Sequence, residues 1–279
     1  MRILPVAGAL GAEVSGVDLA RLDQAETAAI REAFRDHLVL FFRDQRLTPE
    51  QQMDFTRLFG PLQVTPFVKA MDGYPYIVQV LKEADERGIS TFGNAWHADF
   101  TSLPEPPLGS VLYALEVPDH GGDTLFANMY TAYDALSHGM KRMLDGVRAI
   151  HVGKPYGTKY GPPKDVKTSR SIAIERNRPD ADAEVAHPVV RVHPETGRKA
   201  LFVNPIYTLR FEDMTEAESQ GLLDFLYEHA IRPEFTCRFR WTKGALALWD
   251  NRCTLHYAVN DYDGSRRLMH RTMIAGDRP

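Results

Sequence analysis

Short apolar runs rich in β-branched and aromatic residues recur along this chain with too few helices to alternate with them, and that pattern constrains the fold more than any other feature. Runs at 37–42, 76–81, 109–117, 189–193, 200–203, 235–241, 245–249, 254–259 and 268–274 each have the length and composition of a strand. A parallel α/β sheet needs a helix after nearly every strand, so the expected architecture is mainly β, a sandwich or barrel with flanking helices. Pro194-Glu195-Thr196-Gly197, between two of the runs, reads as a hairpin turn. Three helices are predicted. One covers 24–34; a second starts at the capping box of Thr48 and Gln51, with Pro49 in its first turn and Gly60 as its stop; a third starts at Thr215 and closes before Pro233.

With 279 residues and 44% hydrophobic content, the chain can bury one substantial core, and a single domain over 1–279 is expected. Polar segments near 82–94 and 154–186 lack periodicity and are too long for plain connections, so both are read as lid-like insertions over a site. A formal charge of −4 with no basic stripe excludes nucleic acid as a partner. The N-terminal stretch, broken by Pro5 and Gly8, has neither signal-peptide nor membrane-span character. Two cysteines, Cys237 and Cys253, rule out a disulfide framework and fit a reducing cytoplasm; both are expected to be buried free thiols.

The segment Asn94-Ala95-Trp96-His97-Ala98-Asp99-Phe100 places a His and an Asp two apart, which in an extended chain directs both to one face. A facial iron site needs one further His and leaves positions open for other ligands. His256, late in the chain on a predicted strand, is the natural candidate, while His187, His193 and His270 could also serve on spacing alone. In the final run, alternation puts Arg267 and Arg271 on one face, about 13 Å apart along a strand. Two inward guanidiniums are costly unless each meets an anion, and guanidinium grips carboxylates and sulfonates through paired hydrogen bonds. The reversed parity, with Arg266 and His270 inward and the other pair in solvent, is equally compatible with this run.

Taken together, the blocks at 8–19, Leu58-Phe59-Gly60-Pro61, Trp96-His97-Ala98-Asp99, Gly121-Gly122-Asp123-Thr124-Leu125-Phe126, Trp249-Asp250-Asn251-Arg252 and Arg267-Leu268-Met269-His270-Arg271 follow in order over nearly the whole chain. In this the sequence resembles the taurine dioxygenase and aryloxyalkanoate dioxygenase (TauD/TfdA) family of iron(II), 2-oxoglutarate enzymes. The resemblance implies a double-stranded β-helix, a jelly-roll, cupin-like core, with His97, Asp99 and His256 as the iron ligands. It implies that Thr124 and Arg267 hold the remote carboxylate of 2-oxoglutarate and that Arg271 faces the anionic group of the primary substrate. The cofactors implied are Fe(II), 2-oxoglutarate as cosubstrate and O2, with succinate and carbon dioxide as coproducts. A homodimer or homotetramer follows from the family alone, and Asp99 at the carboxylate position argues against a halogenase.

Taurine itself is a poor fit, because Thr65 and Val68 stand where the taurine enzymes carry His and Tyr. The run 66–75 looks closer to the aryloxypropionate-type members, which suggests a small carboxylate with an apolar body. Phe67, Val68, Phe100 and Tyr207 are expected against that body, with Lys69 adding positive charge. Alternatives are an alkyl sulfonate or sulfate dioxygenase, a tailoring hydroxylase, a non-catalytic metal and 2-oxoglutarate sensor, or a zinc hydrolase. A paired anion clamp disfavours the last.

Overall fold

The strand Val39–Phe42 is apolar and buried at every position instead of alternating, and its antiparallel neighbour Leu246–Asp250 is likewise buried throughout and apolar up to Asp250. Uninterrupted burial of this kind means that both faces of the sheet are covered. In a computed structural model, which describes residues 1–161 and 170–279, these strands lie at the centre of an eight-stranded sheet. Its order runs from Arg2–Pro5 through Ala12–Ser15, Val39–Phe42, Leu246–Asp250, Gly109–Glu116 and Arg267–Ile274 to Leu62–Gln63, with Val78–Lys82 also paired to Arg267–Ile274.

One face of this sheet, carrying Leu40, Phe42, Val111, Tyr113, Leu246 and Leu248, packs against Ile30, Ala33 and Phe34 of the Gln24–His37 helix and Phe55 of the Pro49–Arg57 helix. The other face meets a three-stranded antiparallel sheet of Thr236–Phe239, Thr124–Asn128 and Thr254–Ala258. Phe41 joins the two layers. Its ring stacks on Phe239 at 4.0 Å and lies 5.7 Å from Phe126, which also packs on Trp249 at 5.8 Å. Two sheets face to face, with all pairings antiparallel except Ala12–Ser15 against Val39–Phe42, form the jelly-roll core that the strand pattern and the resemblance lead one to expect.

The three predicted helices form where their caps lie. Asp23 with Glu26, Thr48 with Gln51 and Thr215 with Glu218 each make a reciprocal capping box. The first runs on to His37 and the second stops at Arg57, short of Gly60. The Val190–Val192 and Lys199–Leu201 strands pair as the expected hairpin. Strands at Arg2–Pro5, Ala12–Ser15, Arg148–His151, Val185–Pro188 and Thr208–Phe211, and the short helices Met129–Asp134 and His138–Leu144, are additions, each four to seven residues long. Of the expected covering segment 154–186, residues 162–169 lie outside the described residues. The described part is tied to the other covering segment: the Glu86 carboxylate accepts from the Ser171 amide at 2.7 Å and from its hydroxyl. No helix among the described residues is long and apolar enough to cross a membrane.

Because Phe41 is fully buried between the two layers, Phe41→Ala should destabilise the fold by about 3–5 kcal/mol, read as a lowered denaturant midpoint at unchanged slope. A shift below about 1 kcal/mol would mean that the layers are held together elsewhere.

Candidate metal centre

Backbone pairing, rather than closeness in sequence, brings the two histidines together. The His97 amide donates to the His256 carbonyl at 3.0 Å and the His256 amide donates back at 2.8 Å, an isolated antiparallel bridge at the end of the smaller sheet. The rings then lie 4.1 Å apart, centre to centre. Asp99, two residues on, reaches the same point: its Oδ1 lies 3.7 Å from His97 Nε2 and 3.8 Å from His256 Nε2. The three donors lie within 4.8 Å of one another and all three residues are buried.

Asp99 and His97 are oriented from behind, whereas His256 Nδ1 is buried with no hydrogen-bond partner among the described residues. Ser110 Oγ donates to Asp99 Oδ2 at 2.7 Å, and the Asn251 amide group approaches the same oxygen at 3.5 Å while its carbonyl oxygen accepts from the Asp99 amide and from Trp249 Nε1. Asp99 Oδ1 is thereby left facing the imidazoles. His97 Nδ1 donates to the Ala95 carbonyl at 2.7 Å, which fixes the tautomer and turns the Nε2 lone pair inward. Burial lowers the pKa of His97 and puts that of His256 well below 6.5, so both rings are neutral. Burial alone would raise the Asp99 carboxyl, but chiefly the Arg271 guanidinium, with the Ser110 hydroxyl, holds it well below the usual carboxylate range. Two neutral imidazoles and one carboxylate on one side of a point, with the other side open, are the donor set of a facial non-haem iron site.

The other histidines are engaged elsewhere. His187 Nε2 contacts the Leu103 carbonyl, and His270 lies on the opposite face of its strand, beneath the Pro49–Arg57 helix, whose Gln52 side chain donates to the His270 carbonyl. His193, Asp250 and Cys253 form a second buried cluster, but Arg252 takes both Asp250 oxygens and His193 shares one, so the carboxylate is fully used in an ion-pair network. Both cysteines are buried and unpaired, and burial pushes the Cys237 thiol up to about 12. Cys253 belongs to the second cluster, not to the metal centre.

Two cavities meet at the metal centre. The first is lined by His97, His256, Thr124, Trp249, Arg267 and Arg271 among others. Arg267 and Arg271 are 3% and 4% exposed and share the inward face of the Arg267–Ile274 strand with Met269 and Met273. Arg266 instead points outward to Glu83 and Glu116, so the reversed parity does not occur. Arg267 Nε, Arg271 Nε and Arg271 Nη2 are buried without hydrogen-bond partners among the described residues. Buried guanidinium N–H groups of this kind call for an anion. Beside Arg267, Thr124 Oγ1 accepts from Trp241 Nε1 at 2.9 Å.

The second cavity, a cleft of about 220 Å³, has His97 and Asp99 in its floor, and Phe92, Phe100, Tyr156, Ile174, Ile206 and Tyr207 in its walls. The Arg271 guanidinium sits between the Phe92 and Phe100 rings, at 5.3 and 5.7 Å, and donates through Nη1 to Asp99 Oδ1 at 3.1 Å. Of the residues expected against a substrate body, Phe100 and Tyr207 line the cleft. Phe67 stacks on Tyr156 at 5.0 Å and Val68 bridges to Ile174, so both support the wall from behind. Lys69 does not reach the cleft: it pairs with Asp72 at 3.2 Å and its side chain is 65% exposed, a correction to the expected extra charge. Phe92, Tyr156, Arg170, Ile174, Arg176 and Ile206 were not anticipated, because they lie in or beside connecting segments without periodicity.

Comparison with known proteins gives a consistent picture. Residues 2–273 match the model of the taurine catabolism dioxygenase TauD, TfdA family. An alpha-ketoglutarate-dependent sulfate ester dioxygenase of Pseudomonas putida is 37% identical over 280 residues, covering 99% of this chain and 89% of that protein. An (S)-phenoxypropionate/alpha-ketoglutarate-dioxygenase of Sphingobium herbicidovorans is 35% identical over 276 residues, covering 99% of this chain and 95% of that one. Among solved structures, a taurine dioxygenase from Burkholderia xenovorans superposes with a TM-score of 0.81 at 36% identity, covering 99% of this chain and 91% of that chain.

Since Asn251 orients Asp99 without itself being a donor to the metal, Asn251→Ala should weaken iron(II) binding by about 10–100-fold, measured by competition with a chromophoric chelator. Affinity within about twofold of the parent would show that Ser110 suffices. A second expectation concerns pH. Burial lowers the pKa of His97, and puts those of His256 and His151 well below 6.5, so the unfolded chain binds more protons than the folded one below that value. Metal-free protein should hold its stability above pH 6.5 and lose it progressively as pH falls below, seen as declining urea midpoints. A flat profile from pH 7.5 to about 5 would contradict neutral buried imidazoles.

Proposed function

The chain belongs to the taurine catabolism dioxygenase TauD, TfdA family, and from that premise we propose that it is an iron(II), 2-oxoglutarate-dependent dioxygenase that hydroxylates a small organic anion with an apolar body. The observation that carries this reading is the placement of the three-donor centre between two cavities, the inner one lined by two buried guanidiniums with N–H groups unspent among the described residues, one of which, Arg271, also contacts Asp99, Phe92 and Phe100 of the outer cleft. His97, Asp99 and His256 would hold the iron. Thr124 and Arg267 would take the remote carboxylate of 2-oxoglutarate, and Arg271, at the junction, the anionic head of the primary substrate.

When bound, the iron with 2-oxoglutarate and dioxygen supplies the oxidising power, and 2-oxoglutarate leaves as succinate and carbon dioxide. The protein binds, orients and excludes water. Phe92 and Phe100 flank Arg271 and restrict its side chain, so an anionic head paired with it would be held next to the His97, Asp99 and His256 donors. Burial raises the pKa of Tyr156 and puts that of Tyr207 well above 10, so neither phenol in the cleft wall is a base at neutral pH.

We take the substrate as a carboxylate of the aryloxyalkanoate kind, supported by the aromatic cleft and by similarity to the phenoxypropionate enzyme. A sulfate ester is the second reading, favoured by the comparably similar sulfate ester dioxygenase. In either case, hydroxylation of a carbon that bears an ether or sulfate oxygen gives a product that collapses to a carbonyl and releases the leaving group. The same reading takes 1–279 as one domain and the enzyme as a cytoplasmic homodimer or homotetramer, the unpaired thiols being compatible with a reducing compartment.

Succinate release in the presence of 2-phenoxypropionate or a primary alkyl sulfate tests the class and discriminates the two readings. Arg271→Ala should raise KM for the active substrate by about 10–100-fold while leaving the KM for 2-oxoglutarate within about threefold, and Arg267→Ala should do the reverse. Equal loss of both affinities in either variant would overturn the division of labour.

A further inference from the structure

Two guanidiniums in the substrate-side cleft have no part in the reaction described above. Arg170 and Arg176 both line the cleft and are half-buried, whereas His97 and Asp99 in its floor are buried. The pair therefore stands toward the mouth. Arg170 donates through Nη2 to Ser90 Oγ at 2.9 Å, and its Nε is buried with no hydrogen-bond partner among the described residues. Arg176 donates through Nη1 to the Pro155 carbonyl at 3.0 Å.

Among the described residues neither is in an ion pair, which sets them apart from arginines nearby in sequence and space. Arg178 pairs with Glu175 and Asp180, and Arg266 pairs with Glu83 and Glu116. The carboxylate that acts on Arg170 is Glu86, and its Oε1 is already used by the Ser171 amide and hydroxyl. Burial, and then the charge of Arg176, both lower the pKa of Arg170, so the two cations repel one another. Like charges held together in a cleft, with an N–H unspent, are unfavourable unless an anion comes between them. The same cleft is lined by Ile174, Ile206, Tyr156 and Tyr207, which suits an apolar spacer.

We propose that Arg170 and Arg176 form a second anion subsite at the mouth of the cleft, so that the preferred substrate is a dianion: an anionic head at Arg271, an apolar spacer, and a second carboxylate or sulfate at the Arg170–Arg176 pair. This rests on the dioxygenase reading of the same site and narrows its substrate class. The two residues are specificity determinants and take no part in the chemistry.

The test compares matched pairs on the full-length, iron-loaded enzyme with 2-oxoglutarate present: hexyl sulfate against 6-sulfooxyhexanoate, and 2-phenoxypropionate against 2-(4-carboxyphenoxy)propionate. Binding is measured anaerobically by calorimetry, and turnover by succinate. In at least one pair the dianion should bind about tenfold or more tighter than its monoanion, with the difference shrinking as salt is raised. Arg170→Gln and Arg176→Gln should each remove that preference while leaving monoanion affinity and the KM for 2-oxoglutarate within about twofold, and Arg170→Lys should restore part of it. Equal affinity of mono- and dianion in both pairs, binding of none of the four, or equal loss for mono- and dianion in the Gln variants would overturn the subsite. Failure of the dioxygenase reading shows differently, as absence of succinate from enzyme that still binds the dianion preferentially.

Discussion

The burial of Arg267 and Arg271 on the inward face of one strand is the constraint around which the rest of the molecule is arranged. A guanidinium in a sandwich core is tolerable only where it meets an anion, and Arg271 finds half of one in Asp99, to which it donates while two of its nitrogens have no partner among the described residues. The strand is fixed on both sides, by Gly109–Glu116 and by Val78–Lys82. Its opposite face is locked to the Pro49–Arg57 helix, where the hydroxyls of Thr56 and Thr272 lie 2.7 Å apart. Rigid pairing of this kind sets the spacing between the two cations. The smaller sheet then brings the imidazoles to the space beside them through the His97–His256 bridge.

The donors are held by a layer that does not touch the reaction. Ser110 comes from a central strand of the large sheet, and Asn251 from the turn after another, so Asp99 is anchored to the centre of that sheet although it lies in a connecting segment. Next to Asn251, Asp250 and Arg252 tie that turn to His193 and Glu195 of the hairpin. Burial works against the Asp250 carboxyl, but His193 and Arg252 bring its pKa down to about 2, so that carboxylate stays ionised at any ordinary pH.

Much of this was legible in the sequence, because the signals were local. Alternation placed Arg267 and Arg271 together, but not which face was inward; both faces of the strand are buried, so the solvent-facing alternative had no counterpart in the fold. Capping boxes marked the helices that start after Thr48 and Thr215, and composition the one from Gln24, whereas the Met129–Asp134 and His138–Leu144 helices, starting at Asn128 and Ser137, are too short for a hydrophobic period to show. Spacing paired His97 with Asp99, but the bridge to His256 is a long-range contact that the resemblance supplied and no local pattern could. The substrate side was least legible. Its wall is built from irregular segments whose side chains converge only through tertiary contacts, and so Lys69 was misplaced and Arg170 and Arg176 were passed over.

The central claim is that one metal, held by His97, Asp99 and His256, and one 2-oxoglutarate, reaching from that metal to Arg267, occupy the buried side of the centre together. Anaerobic titration of metal-free protein with iron(II) and 2-oxoglutarate tests it most directly, followed by the weak visible charge-transfer band of a 2-oxo acid chelated to iron(II). The account predicts a band that needs both components, saturates at one equivalent of iron, and is lost in Asp99→Ala protein that remains folded. Folded parent protein that gives no band at saturating iron and 2-oxoglutarate would contradict it.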